Sequence, residues 1–240
     1  MTNRDSSSRT VGILGGMGPL ATVDLYRKII LATPATCDQE HLHVIIDADP
    51  TVPDRTAALR GDAPDPLPWL ARGARRLETA GANFIVIPCN TAHAWLPRLR
   101  PLVGIPILDM IAEAVARVRA DYPDARRVGL LATRGTIGSA LYHQALTAQN
   151  LTALVPAPDG EQHLVDRAIG AVKAGDTGRA ASDPLVTAAR ALAAAGAEVL
   201  LAACTEIPLA LTAAQAPVPL LDPTQVLAEA AVREATQQPA

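Results

Sequence analysis

Two of the three cysteines in this chain arrive in chemically useful company. In VIPCNTAHAW, residues 86–95, an apolar run ends at Pro88, and Cys89, Asn90, Thr91 and His93 follow. In LLAACTEIPL, residues 200–209, a second apolar run ends at Ala203, and Cys204, Thr205 and Glu206 follow. A thiol beside hydroxyl and amide groups can transfer protons or attack carbon. Two thiols facing one small molecule from opposite sides suit a particular reaction. One removes a proton from a carbon, the other delivers a proton to the far face, and the stereocentre inverts. The roles swap for the opposite enantiomer, so near-equivalent groups are what that chemistry requires. The turn after each cysteine leads toward a helix start, whose free N–H groups favour an anion. Each thiol is therefore expected to have a lowered pKa and thiolate character.

What must position these residues is a duplicated scaffold. RTVGILGGMGP (9–19) matches RRVGLLATRGT (126–136), AGANFIVIPC (80–89) matches AGAEVLLAAC (195–204), and IPILD (105–109) matches VPLLD (218–222). Val11 falls on Val128, Cys89 on Cys204 and Asp109 on Asp222, at offsets of 117, 115 and 113 residues. Each half alternates apolar runs with helical patterns. In the first, strands are expected at TVGILGG, 43–47, 83–88 and 105–109, with helices at 19–33, opened by Pro19, and 65–81, ended by Gly81. In the second, strands are expected at RVGLLAT, TALVPAP and EVLLAA, with helices at 138–149, 161–175 and 184–196. Continuous apolar strands between helices argue for parallel sheets covered on both faces. The fold class is α/β, in two halves: residues 1–109 plus 218–240, and 110–217. The helix at 110–122 bridges the halves, and the last strand and tail helix return to the first. In such sheets ligands bind beyond the carboxyl ends of the strands, which places both cysteines on a binding edge.

Composition narrows the function. The net charge is -3, from 21 Lys and Arg against 24 Asp and Glu, so no nucleic-acid footprint is expected. Arg72, Arg75 and Arg76 share a helical pattern and read as a solvated face. Residues 1–10 are polar, lack an apolar signal core and read as a disordered tail. No apolar run reaches membrane-span length. Three cysteines make no disulfide framework, and a reducing cytoplasmic setting fits.

The motifs GILGGMGPLAT (12–22), DQEHLHVIIDADPTVPDRTAAL (38–59), PCNTAH (88–93), VGLLATRGT (128–136) and CTEIPL (204–209) resemble those of the aspartate/glutamate racemase family, most closely its cofactor-independent aspartate racemases. The resemblance covers nearly the whole chain. It implies two Rossmann-like halves related by a pseudo-twofold axis, with the active site in the cleft between them. It also implies two-base proton transfer by Cys89 and Cys204 on a small acidic amino acid, with no pyridoxal phosphate and no metal, often in a homodimer. Asn90, Thr91 and Thr205 resemble the residues that hold the α-carboxylate, and Met17 and Gly18 resemble part of the pocket. Arg55 resembles the arginine that binds the side-chain carboxylate, Lys173 a lysine with a similar role, and Glu206 the acidic residue beside the second cysteine. Arg55 also stands without the resemblance: it follows the strand at 43–47 on the same sheet edge, and a guanidinium fork suits a carboxylate. Two positions depart from the family pattern. Ala203 stands where glycine is common, and Asp49 where asparagine is common.

Other residues have plainer readings. Cys37 is assigned nothing. GGMGP lacks the G-x-G-x-x-G spacing of a dinucleotide site and reads as a tight turn near substrate. His93 reads as a structural histidine, since no C-x-x-C pair supports a metal site. Lys173 also fits a helix end, where it complements the dipole. Thr133 and Thr136 either line the cleft or complete a turn, and Trp69 and Trp95 read as packing residues. The expected function is cofactor-independent racemisation of aspartate or glutamate; rival functions are racemisation of another amino acid or a hydantoin, maleate isomerisation with one cysteine as nucleophile, and ligand binding without chemistry.

Overall fold

The computed structural model describes residues 8–237, so residues 1–7 of the expected tail lie outside the described residues. The first half runs β1 (Val11–Gly15), α1 (Pro19–Ala32), β2 (Val44–Ala48), α2 (Arg55–Arg60), α3 (Leu67–Thr79), β3 (Phe84–Val86), α4 (Leu96–Leu99) and α5 (Met110–Asp121). The second runs β4 (Arg127–Ala132), α6 (Arg134–Gly138), α7 (Leu141–Thr147), β5 (Thr152–Leu154), α8 (Glu161–Lys173), α9 (Arg179–Ala194), β6 (Val199–Ala203), β7 (Leu220–Leu221) and α10 (Pro223–Thr236). The strands form two parallel sheets, ordered β2-β1-β3 and β5-β4-β6-β7.

Strand side chains alternate between two apolar layers, which explains the unbroken apolar runs. In the first sheet, Val11, Ile13, Phe84 and Val86 face Leu25 and Ile29 of α1 and Leu227 and Ala231 of α10. Leu14, Ile85 and Ile87 face Leu70, Ala74 and Leu77 of α3. In the second, Val128, Leu130 and Leu201 face Ile111 and Val115 of α5 and Tyr142 of α7. Leu131, Leu200 and Ala202 face Val165 of α8 and Leu185 of α9.

The internal repeat is a repeat of backbone geometry. Gly81 and Gly196 both take left-handed backbone, φ 97° and 96°, at the turns before β3 and β6. The N–H of Ile85 donates to Pro106 at 2.8 Å, and that of Leu200 to Pro219 at 2.8 Å. Asp109 caps α5 by accepting from Ile111 and Ala112, and Asp222 caps α10 by accepting from Thr224. A Cβ on Gly12 would lie 2.9 Å from Ala82 Cβ, and one on Gly129 3.0 Å from Ala197 Cβ.

Several expectations need correction. The strand at 105–109 is reduced to one bridge, Ile85 to Ile107, although its repeat forms β7. The tail segment 218–240 does not return to the first half as a unit. Its strand pairs with β6 of the second sheet, and only α10 packs on the first. The helix expected over 138–149 splits into α6 and α7 at Ala140, which sits at φ 56°. Helix α9 starts at Arg179, before the expected Pro184, which lies inside it. The bridge is α5, with Met110 in the first half's apolar layer and Ile111, Ala114, Val115 and Val118 in the second's.

Gly12→Ala should cost about 1–3 kcal/mol through overpacking between β1 and Ala82. The expected sign is a lower urea midpoint with unchanged secondary structure by circular dichroism. A midpoint equal to wild type would mean that the close approach carries no stability.

Candidate active site

Cys89 follows β3 after the turn Ile87–Pro88, with its N–H donating to Ile87 at 2.8 Å, and Cys204 follows β6 directly. Each strand neighbours the central strand of its sheet, so both cysteines emerge at carboxyl edges. They line one cavity of about 20 Å³, the space of one or two water molecules. The first half contributes Met17, Arg55, Cys89, Asn90 and Thr91 to its wall, and the second Thr133, Lys173, Cys204, Thr205 and Glu206. Asp54 and Thr56 line it too. The PDRT motif carried a signal for Arg55 alone, because Asp54 is also the cap of α2, accepting from Ala57 at 2.8 Å. Gly18 stands just outside the wall, where a Cβ would lie 3.2 Å from Glu206 Oε1. Gly16, at φ 87°, makes the tight turn expected of GGMGP.

Thr136 does not line the cavity. It is buried behind the wall, its hydroxyl 2.8 Å from that of Thr91 and 3.0 Å from that of Thr133. Thr91 and Thr133 are also 3.0 Å apart, so three hydroxyls close a ring across the seam between the halves.

Two residues of the wall carry buried donors without partners. Arg55 donates through Nη1 to Val52 and Pro53, both at 3.1 Å, and through Nη2 to Met17 at 3.3 Å. Its Nε is buried without a hydrogen-bond partner, and so is Asn90 Nδ2. A buried donor left unpaired is costly, so both positions favour an acceptor such as a carboxylate. Lys173, exposed at the end of α8, reaches the cavity mouth.

The Cys204 thiol is not what the motif alone led us to expect. The Cys204 thiol lies 3.0 Å from Glu206 Oε2 and donates to it. Burial, then the Glu206 charge, push its pKa well above the ordinary thiol range. No α-helix begins at either cysteine. Thr91–Trp95 and Ile207–Leu209 are 3-10 turns, too short to sum a macrodipole, and at Cys204 desolvation decides. His93 is structural: Nδ1 donates to the Cys89 carbonyl at 2.9 Å and Nε2 accepts from the Met110 N–H at 3.1 Å. Burial pushes its pKa down. Among the described residues no group of three or more His, Cys, Asp or Glu could hold a metal ion. No helix among them is long and apolar enough to cross a membrane. Cys37 is exposed. Trp95 is buried and donates to Asp65 at 2.7 Å, whereas Trp69 lies beneath the Arg72 guanidinium.

The sequence profile of the family described as Asp/Glu/Hydantoin racemase matches residues 14–231. The chain belongs to this racemase family. It is 28% identical over 228 residues to the broad specificity amino-acid racemase RacX of Bacillus subtilis, covering 92% of this chain and 96% of that one. Its structure resembles the aspartate racemase of Picrophilus torridus, with a TM-score of 0.86, 30% identity and 96% of each chain covered. A glutamate racemase of Francisella tularensis, solved with D-glutamate, shares the fold at a TM-score of 0.68 and 19% identity, over 93% of this chain and 79% of that one. Enzymes of this racemase family are isomerases, and this chain is one of them.

Both departures from the racemase pattern are absorbed by the structure. Asp49 turns away from the cavity, accepts from the Thr51 N–H and hydroxyl, and faces Arg72 at 3.4 Å. The Thr51 bonds hold its carboxyl below the usual range. The Ala203 methyl is buried in the layer of Leu130, Ala132 and Leu201.

Glu206→Gln should lower the Cys204 pKa, because it removes the charge that opposes the thiolate. In a Cys37→Ser, Cys89→Ser background, ultraviolet thiolate absorbance should titrate at lower pH than with Glu206 present. An unmoved midpoint would leave burial as the whole cause.

Proposed function

We infer that the protein interconverts L- and D-aspartate by two-base proton transfer, with no cofactor. The observation that carries this reading is one cavity holding two cysteines from separate halves together with the buried, unpaired Arg55 Nε. In this reading Arg55 and Lys173 take the side-chain carboxylate. Asn90, Thr91 and Thr205 take the α-carboxylate, and Met17 and Gly18 complete the wall. Thr133 and Thr136 act through their hydroxyl ring with Thr91.

The step balances as follows. A Cys89 thiolate takes the α-proton, and the electron pair delocalises into the α-carboxylate. The Cys204 S–H then gives its proton to the opposite face. Cys204 is the resting acid, because burial and Glu206 hold it protonated. Donors fixed on the α-carboxylate contribute most as charge grows there, in a site with little room for water. An amino acid is larger than the cavity, so the halves or the α2 loop must part to admit it. The reaction belongs in a reducing, cytoplasmic setting, where both thiols stay free.

The homodimer is part of the same reading. Helix α1 exposes Leu20 (44%), Val23 (64%), Tyr26 (38%), Ile30 (36%) and Leu31 (68%), an apolar face that a second copy could cover. Sedimentation velocity giving only monomer would remove this part.

Proton NMR of L-aspartate in deuterated buffer tests the reaction. Loss of the α-proton with D-aspartate appearing is expected. If it persists while glutamate or a neutral amino acid exchanges, the substrate is wrong. If nothing exchanges, the activity is wrong. Cys89→Ser and Cys204→Ser should each abolish racemisation while each still washes out the α-proton of one enantiomer. Arg55→Met should cost about 3 kcal/mol in kcat/KM for aspartate, near a hundredfold. A loss under threefold would move side-chain recognition elsewhere.

A further inference from the structure

Asn90 lines the cavity and its buried Nδ2 has no partner, and a carboxamide can present either its oxygen or its nitrogen. Something must choose. The hydroxyl of Tyr142, from α7 in the other half, lies 2.6 Å from Asn90 Oδ1. Tyr142 is fully buried, and its phenol has one hydrogen to donate. Asn90 Oδ1 accepts that hydrogen; a flipped amide would donate to the phenol oxygen instead but leave the buried phenol hydrogen unpaired, so the orientation with the amide oxygen on the phenol and the NH2 free is favoured. The ring is locked in turn, packed with Ile111, Val115, Val118 and Leu146. Its helix begins just after Ala140, whose left-handed φ of 56° is unusual for a residue with a side chain. Such strain persists where the surroundings over-determine it, and here it stands at the residue from which α7 starts.

We propose that Tyr142 is a positioning residue for the racemase reaction, fixing the Asn90 carboxamide as a donor to the α-carboxylate. The inference rests on the racemase reading above. Tyr142 never touches substrate. It acts by denying Asn90 the flipped rotamer, which would set an oxygen lone pair against a carboxylate whose charge grows during proton abstraction. The consequence is coupling across the seam: the second half, which carries Cys204, orients a substrate-holding group on the first.

The test is a double-mutant cycle joined to a spectroscopic readout. Tyr142→Phe keeps the packed ring and removes only the hydroxyl. It should lower kcat about tenfold with KM within about twofold, while Asn90→Ala lowers kcat about a hundredfold. The double variant should be no slower than Asn90→Ala alone, since the hydroxyl has nothing left to orient. Additive losses, or a Tyr142→Phe kcat within about twofold of wild type, would overturn the proposal.

The second readout needs no activity. In a 1H–15N spectrum, the Asn90 side-chain pair is assigned by its loss in Asn90→Ala. It should be single and sharp in wild type, and shifted and broadened or doubled in Tyr142→Phe. An unchanged pair sinks the positioning role whatever the substrate. A changed pair in a protein that racemises nothing keeps the positioning and removes the reaction.

Discussion

Two strand ends on sheets that share no strand must be held against each other across a seam, and the chemistry at the cavity depends on that seam. The inner part of the seam is neutral. The Thr91, Thr133 and Thr136 hydroxyls bond one another, and Tyr142 reaches Asn90. Gly135 of α6 lets α2 come close, since a Cβ there would lie 2.6 Å from Thr56 Oγ1. Each neutral hydrogen bond adds only about 1 kcal/mol. Their value is that they close the seam without adding charge beside the thiols. Ion pairs stand elsewhere, between helices, where Lys28 bridges Asp24 and Asp222, and Arg117 meets Glu229 at 2.8 Å.

A closed, neutral seam leaves a cavity in which every remaining charge counts heavily. Arg55 and Lys173 supply positive charge, and Asp54 and Glu206 negative. His93 could have tilted the balance by sitting as imidazolium beside Cys89. It does not, because a backbone carbonyl and a backbone N–H take its two ring nitrogens and burial favours the neutral form. The same two bonds tie the Cys89 turn to the first residue of the bridging helix α5.

What the sequence made legible was what repeats or what is local. Asp109 and Asp222, Gly81 and Gly196, and the two cysteines each stand at matching offsets, and each pair does matching structural work. Arg55 was legible because a strand end and a PDRT loop locate it. Tyr142 was not, because it reads as one more apolar position of α7, and its partner lies 52 residues away in the other half. The cysteine pKa was misjudged for a related reason. Turn residues after a strand announce free N–H groups, but the local string does not disclose that the turn stays 3-10 and that the thiol is sealed from water. Thr136 shared its TRGT motif with Thr133, and only the cap geometry, with its N–H donating to Thr133 Oγ1 at 3.1 Å, puts one hydroxyl at the wall and the other behind it.

The halves are alike where the backbone must be alike and different where the protons must be. Inversion by two bases starts with one base deprotonated and the other protonated. Two interacting thiols lose their protons in two steps, and in identical surroundings the proton that remains after the first step would sit on either one equally. The repeat breaks at that point: Cys89 is followed by Asn90, a neutral donor, and Cys204 by Thr205 and Glu206, a carboxylate that accepts the thiol hydrogen. Burial and the Glu206 charge keep the proton on Cys204, so in a singly deprotonated pair Cys204 is the acid. The duplicated scaffold thus brings two cysteines to one cavity, and a few residues that escape the duplication give those cysteines different surroundings.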